Sequence, residues 1–323
     1  AEREQVYTLH FTTKEAIKNS RTTLKNAFDN SSQGIFTNVM RNAIGTNKKL
    51  HIEQSNTNNK LIGNYMRPYD FLQMLANRTS SKDFNGAGYL FFENHRGIHF
   101  RSWESLSRTK TGNRGAKIDY YVNPAGEQIV VDEDMRKIIT YSVEKTQDTL
   151  AGHASGLFGS KHYNYNRTDK TITISESDYE SKFRRRFTTE GESFPMFPNN
   201  PEDATGKSHT DYTDARVFVS SFDKSLHMKT STDERNYENN GKILQDRLHD
   251  TLDHDQMVLR VSVPGNTNLA AGDIVGLNIP SYESIDKATD RVYDVYLSGR
   301  YILTDVVHSI SETGYSTTFT CVR

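Results

Sequence analysis

Apolar residues recur at every second position through Leu259, Val261 and Val263, the period that places them on one face of a β-strand. Pro264-Gly265-Asn266 then interrupts the ladder, because proline has no N–H to donate and glycine and asparagine tolerate left-handed dihedrals. Further strands are expected at Ile274–Ile279, around Tyr296–His308 and at Tyr315–Val322. Together they specify a small antiparallel barrel, closed or nearly so. Its core is expected from Leu259, Val261, Val263, Ile274, Val275, Leu277, Ile302, Leu303, Val306 and Val307 on alternate faces.

Toward the N-terminus the period changes. Val6–Phe11 reads as a strand, but from Thr13 onward the apolar spacing is three and four. Ala16, Ile17, Leu24, Ala27 and Phe28 predict a helix over Lys14–Phe28, and Ile35, Val39, Ala43 and Ile44 predict another over Gly34–Ile44. Pro68 suits the first turn of a third helix, with Phe71, Leu72 and Leu75 as its buried stripe. Tyr89–Trp103 reads as a hairpin in which Leu90 and Phe92 face Ile98 and Phe100 across an Asn94-His95-Arg96-Gly97 turn. These elements form an α+β unit with an Arg- and Gly-rich tail, Arg108–Gly115. A strand or short helix is expected near Met135–Ser142, followed by the segment Gly152–Tyr165, as the chain runs on toward the barrel strands. A charged, turn-rich stretch, Asp178–Asp214, then interrupts it, and a helix over Glu238–Leu252, with Leu244, Leu248 and Leu252 one turn apart, leads back.

Composition adjusts this picture. A chain of 323 residues divides into two or three domains. Hydrophobic residues are 34% and mean hydropathy is −0.74, so the cores are small and much polar surface is left for contacts. The 11% aromatic share, mostly Tyr and Phe, favours β structure and interfaces over disorder. A net charge of −1 gives no general pull toward nucleic acid or an anionic membrane, and no apolar run approaches the roughly 20 residues of a spanning helix. With one cysteine, Cys321, no intrachain disulfide can form, and the residue reads as a small buried hydrophobe.

Candidate chemistry is sparse. His249-Asp250-Thr251-Leu252-Asp253-His254-Asp255 is rich in metal-type ligands, but its histidines are five apart, about 140° around a helix, so they do not share a face. Gly152-His153-Ala154-Ser155-Gly156 has its serine one place late for a nucleophile elbow. The glycines of Gly156-Leu157-Phe158-Gly159 are too close for a phosphate loop. His95, His99 and Trp103 near the hairpin read as packing and turn residues. No catalytic, cofactor or metal residue is assigned, and the chain reads as a non-enzyme. The candidate interaction segment is Phe183, Arg184, Arg185, Arg186, Phe194 and Phe197, where acidic flanks (Asp178, Glu180, Glu190, Glu192) favour a protein partner over nucleic acid.

The residues also carry a family resemblance. Val263-Pro264-Gly265-Asn266-Thr267-Asn268-Leu269 with Ala271-Gly272-Asp273, then Gly299–His308, then Tyr315–Thr320, resemble the last tube-like domain of the baseplate central hub protein of T-even-like contractile-tailed bacteriophages. Pro68–Leu72, Tyr89–Asn94 and Gly97–Phe100 are similar to that family's middle domain, in the same order. The resemblance implies an α+β, β-rich fold: a tube-like antiparallel β-barrel domain plus an α+β connecting domain, with a further N-terminal tube-like barrel missing from this chain. Residues 1–12 then hold a remnant strand of that barrel, 13–118 the connecting domain, 119–175 and 238–323 the tube-like barrel, and 176–237 an inserted loop or subdomain. It implies a structural component of a virion tail baseplate, made in the host cytoplasm, without cofactor, membrane anchor or specific nucleic-acid binding. Its implied partners are itself as a homotrimer, the tail tube protein, the central spike protein and other baseplate proteins. As a hub it would join the sixfold tube to the threefold spike. The alternative is a tail-tip module that binds or degrades cell wall.

Overall fold

The computed structural model describes residues 7–84, 86–109, 112–113, 115–122, 135–146, 148–167, 169–178, 206, 212–222, 234–281, 293–294, 296–312 and 314–323. The fold is β-rich with helices, built around a curled barrel sheet and a smaller α+β unit. Residues 7–11 belong to no helix and pair with no described strand, contrary to the strand expected there.

Helix α1 (Lys14–Arg21) starts where the Thr13 hydroxyl accepts the Ala16 N–H at 3.3 Å. It stops earlier than its periodicity suggests, because Thr22 and Thr23 are β-branched and Thr22 is extended. Phe28 therefore reaches the core from a strand, β1 (Ala27–Ser31), and not from a helix. Helix α2 (Ser32–Asn38) is capped by the Ser31 hydroxyl and runs into a π-helical turn, Val39–Ile44, that ends on Gly45 in the left-handed conformation. Strands β2 (Leu50–Ile52) and β3 (Asn58–Ile62) follow, β3 pairing antiparallel with β1. Helix α3 (Pro68–Ala76) buries Phe71, Leu72 and Leu75, the expected stripe. Strands β4 (Tyr89–Asn94) and β5 (Gly97–Ser102) make the hairpin, and β2 joins β5 in parallel. A short helix, α4 (Trp103–Ser107), and a minimal strand pair, β6 (Arg108–Thr109) with β7 (Gly112–Asn113), complete the unit.

The hairpin register differs by one residue from the expected one. Asn94 pairs with Gly97, so Phe91 faces Phe100 and Phe92 faces His99. Tyr89, Phe91, Ile98 and Phe100 enter the unit's own core, while Leu90 and Phe92 point the other way, onto the barrel. A strand covered on both faces carries no alternation, which is why Tyr89-Leu90-Phe91-Phe92 hid its register.

The barrel sheet has the order β8-β14-β15-β16-β13-β9. Its strands are β8 (Ile118–Tyr121), β9 (Thr140–Lys145), β13 (Val258–Pro264), β14 (Ile274–Asn278), β15 (Gly299–Ser311) and β16 (Gly314–Val322). All neighbours are antiparallel except β8 with β14. Residues 136–139 bring the two edge strands together at one end. The Ile138 N–H donates to the Tyr121 carbonyl, the Tyr121 N–H to that of Arg136, and the Ile139 N–H to that of Ser262. Leu259, Val261, Val263, Val275, Leu277, Tyr301, Leu303, Phe319 and Cys321 fill the interior. Val307 is a correction: it is 50% exposed. A bulge at Thr304 shifts the pairing between Leu303 and Asp305, so inward parity changes from odd to even and Val306, not Val307, turns in.

Between β9 and β13 stand helix α5 (Thr149–Ser155) and strands β10 (Gly159–Asn166), β11 (Thr171–Asp178) and β12 (Val217–Phe222), followed by helix α6 (Glu234–His254). The segment expected to begin the barrel instead builds a separate sheet, β11-β10-β12, none of whose strands pairs with the barrel. This sheet takes strands from both sides of residue 176, where the sequence reading places a boundary. In α6 the leucine stripe is not the buried face. Leu244 is 48% exposed, whereas Gln245 and His249 are buried against a sheet that presents polar side chains and Asp250 is buried against the Ala87 N–H.

Candidate assembly surfaces

Three features of the structure have the character of contact surfaces. The first is the internal junction between the α+β unit and the barrel. Ile274, Ile302, Val322 and Val258 lie in register across four strands and form one aliphatic row on the outside of the barrel. Leu90, Phe92, Trp103, Leu106 and Ala116 cover that row. Arg96, at the hairpin tip, grips Asp273 with two parallel hydrogen bonds of 2.5 and 2.8 Å, and Lys117 reaches the same carboxylate at 3.1 Å. Burial alone would raise the Asp273 carboxyl, but the hydrogen bonds from Arg96 and Lys117 prevail and hold it below its ordinary range. Helix α6 ties the other side: Arg247 donates to the Tyr89 carbonyl at 2.7 Å, and Asp250 accepts from the Ala87 N–H at 2.9 Å.

His99 lies within this junction, between His51 (centroids 4.4 Å apart, planes 7° apart) and Phe92 (4.7 Å, 1°), its neighbours on β2 and β4. Asn94 sets its tautomer. Asn94 Oδ1 accepts the Arg96 N–H, its Nδ2 donates to the Ala271 carbonyl of the barrel, and the His99 Nε2–H therefore donates to Asn94 Oδ1 at 3.1 Å. The buried Nδ1 keeps a bare lone pair with no hydrogen-bond partner among the described residues. Burial, followed by the charges of His51, Arg101 and Arg96, pushes the imidazole down to about 4, against the pull of Asp273.

A pH dependence follows. The unfolded chain takes up this proton near the ordinary value of 6.5, before the folded protein does. Stability from His99 is complete above that value, falls as pH drops, and is gone by about 4, a loss on the order of 3 kcal/mol. Glu15 acts lower. Burial raises its carboxyl, but hydrogen bonds from Lys48 and Thr46 outweigh this and hold it at about 2, so its stabilisation is lost only between 4.5 and 2. Urea midpoints measured from pH 7 to 4.5 are expected to fall in the native chain and to stay flatter in His99→Phe. Equal slopes would show that His99 does not titrate as described.

The second feature is the β11-β10-β12 sheet, whose two faces are reversed relative to an ordinary half-buried sheet. Ser160, His162, Asn164 and Asn166 of β10 point inward and are buried. Gln245 of α6 donates to the Ser160 hydroxyl at 3.1 Å and accepts from that of Ser175 at 2.7 Å, and His249 Nε2 meets the Ser177 hydroxyl at 2.8 Å. The outward face is apolar: Tyr163 and Tyr165 on β10 stand beside Ile174 and Ile172 on β11, with Val217 and Val219 on β12. Four of these are at least 49% exposed, Val219 reaching 78%.

The third feature is the segment 7–11, in which Tyr7, Leu9 and Phe11 are 75%, 73% and 89% exposed.

The sequence-chosen interaction residues Phe183, Arg184, Arg185, Arg186, Phe194 and Phe197 lie outside the described residues. His249 and His254 diverge, His249 to Ser177 and His254 onto the Trp103 ring at 4.9 Å. The reversed sheet was legible as alternation in Lys161-His162-Tyr163-Asn164-Tyr165, but alternation alone does not say which face is inward.

Comparison with known proteins finds no family model that matches the chain. A probable baseplate hub protein, gp334 of Vibrio phage KVP40, is 22% identical over 264 residues, 78% of this chain. The chain spans just over half of that relative's length, 56%. Among solved structures, the 43 kDa tail protein of prophage MuSo2 from Shewanella oneidensis overlaps 96% of the chain and 71% of its own at TM-score 0.46 and 10% identity. A tail protein from Neisseria meningitidis MC58 overlaps 94% of the chain and 70% of its own at 0.47 and 8%. Overlaps at these scores add no weight to the sequence relationship.

Proposed function

We propose, from the premise that this chain is a relative of phage baseplate hub proteins, that it is the central hub of a contractile tail. In this reading it is a structural protein of the virion baseplate, synthesised in the host cell, with no catalytic role. The single observation that supports the reading most is the sequence match to the KVP40 hub protein over 78% of this chain. The structure is compatible in kind: a curled barrel whose outer aliphatic row and Asp273 clamp lock it to an α+β unit makes a rigid block suited to a ring.

The hub is a homotrimer. Its barrels line the tube side, the α+β unit connects them, and the ring meets the tail tube on one face and the central spike on the other. A threefold spike can join a sixfold tube only through an adaptor whose two faces differ, and two tube-like barrels per subunit would supply the six positions. The stretch carrying Phe183–Arg186, Phe194 and Phe197 contacts a neighbouring subunit or another baseplate protein. Light scattering on the full-length protein is expected to give three copies per particle. A stable monomer at every concentration would contradict the trimer.

A further inference from the structure

We propose that the cavity between the hairpin and the barrel, walled by Arg96, His99, Arg101, Lys117 and Asp273, is a binding site for hydrogen phosphate. The cavity holds about 420 Å³, at the small end of ligand-sized pockets. Phe92, Leu106 and Ile274 also line it, but they are already engaged in the packing of the outer aliphatic row. The remaining walls are polar and make two separate demands on an occupant.

The first demand is for negative charge. Three cations against one carboxylate, Asp273, leave an excess of two positive charges. The ammonium of Lys117 has three N–H groups, of which Asp273 and the Asn268 carbonyl take two. Ser105 fixes the Arg101 guanidinium, whose Nε donates to the Ser105 hydroxyl at 2.8 Å and whose Nη2 donates to the carbonyl at 2.6 Å. In a cavity with low-dielectric walls, charges of one sign concentrate their field, so a dianion is favoured there.

The second demand is for a proton donor, and it comes from His99. The imidazole lies parallel to the rings of His51 and Phe92 on the two neighbouring strands, so its plane runs along β5. With Nε2 turned back to Asn94 at the hairpin tip, Nδ1 is turned the other way, toward the side where Arg101 follows on the same face. That nitrogen is buried, has no partner among the described residues, and in this tautomer can only accept. Buried polar atoms of folded proteins are nearly all satisfied, so Nδ1 points to a bound group that carries an O–H or N–H.

Hydrogen phosphate meets both demands. Near neutral pH it is a dianion with one P–O–H, so it accepts from Arg101 and Lys117 while donating to Nδ1. Sulfate has the same shape and charge but no proton to give. Entry is open at Gly115, where a Cβ would meet no atom within 4 Å. Bound there, phosphate ties Arg101 on β5 to Lys117 at the start of β8 and so tightens the junction between the two units.

Isothermal titration calorimetry of the full chain with inorganic phosphate and with sulfate, at about pH 7.5 and constant ionic strength, tests the site. Phosphate is expected to bind saturably at millimolar concentration or below, and about tenfold or more tightly than sulfate. His99→Phe keeps a ring in the stack and removes Nδ1. With an unchanged near-UV circular dichroism spectrum, it is expected to abolish the preference while leaving weak binding of both anions. Arg101→Gln is expected to weaken both anions about equally. The ratio of the two affinities in the native chain decides by itself where a variant fails to fold. No saturable phosphate binding, equal affinity for phosphate and sulfate, or a preference that survives in folded His99→Phe each overturn the site.

Discussion

Leu259→Ala is expected to lower the unfolding free energy of the barrel by about 2–5 kcal/mol, and Leu303→Ala by a similar amount. Both side chains are essentially inaccessible to solvent and pack in the same interior, Leu259 from β13 and Leu303 from β15. They are linked through β16, since Cys321 pairs with both. Truncating either leaves a void among Val261, Tyr301 and Phe319 that a sheet bridged at its two edges closes only partly. Val307→Ala serves as the control: half exposed beyond the Thr304 bulge, it is expected to cost less than about 1 kcal/mol. Urea unfolding followed by circular dichroism measures all three, and losses below 1 kcal/mol at both leucines would remove them from the core.

Gly97→Ala is expected to be at least as damaging, on the order of 3 kcal/mol or more. Gly97 closes the two-residue His95-Arg96 turn at φ +142°, a conformation that side-chain-bearing residues rarely adopt. A Cβ placed there would lie 2.3 Å from the Lys49 carbonyl oxygen, a backbone atom that cannot step aside. That carbonyl accepts the Ile98 N–H, so relief of the clash breaks the entry of β2 into the sheet. The damage also reaches the barrel, because Asn94 and Arg96 of the same turn hold Ala271 and Asp273. A combined readout of urea stability and tryptophan fluorescence of Trp103, at the junction, detects both effects. Wild-type stability in this variant would mean that the turn is not built as described.

The barrel was legible because its strands alternate. Leu259, Val261 and Val263 announce an inward face, and the Pro264-Gly265 break announces its end. What periodicity could not show was the second use of the same strands. Ile274, Ile302 and Val322 look like core residues, yet they form the outer row that receives Leu90 and Phe92, and only tertiary structure distinguishes the two sides. The helix expected over Lys14–Phe28 broke at Thr22 and Thr23, where backbone preference overrode an apolar spacing of three and four. The Gly152–Tyr165 segment was assigned to the barrel by the family's pattern, but it pairs with β11 beside it and with β12 more than fifty positions away. The junction clamp had no local sign at all. Arg96 and Asp273 lie 177 positions apart, and nothing near either one in sequence marks it as half of a pair.

Imaging purified tails down their axis, with the chain labelled, shows whether it forms the hub of a contractile tail. Three labelled copies are expected in a ring at the tip, between tube and spike. One copy, six copies, or label along the tube and absent from the tip would contradict it.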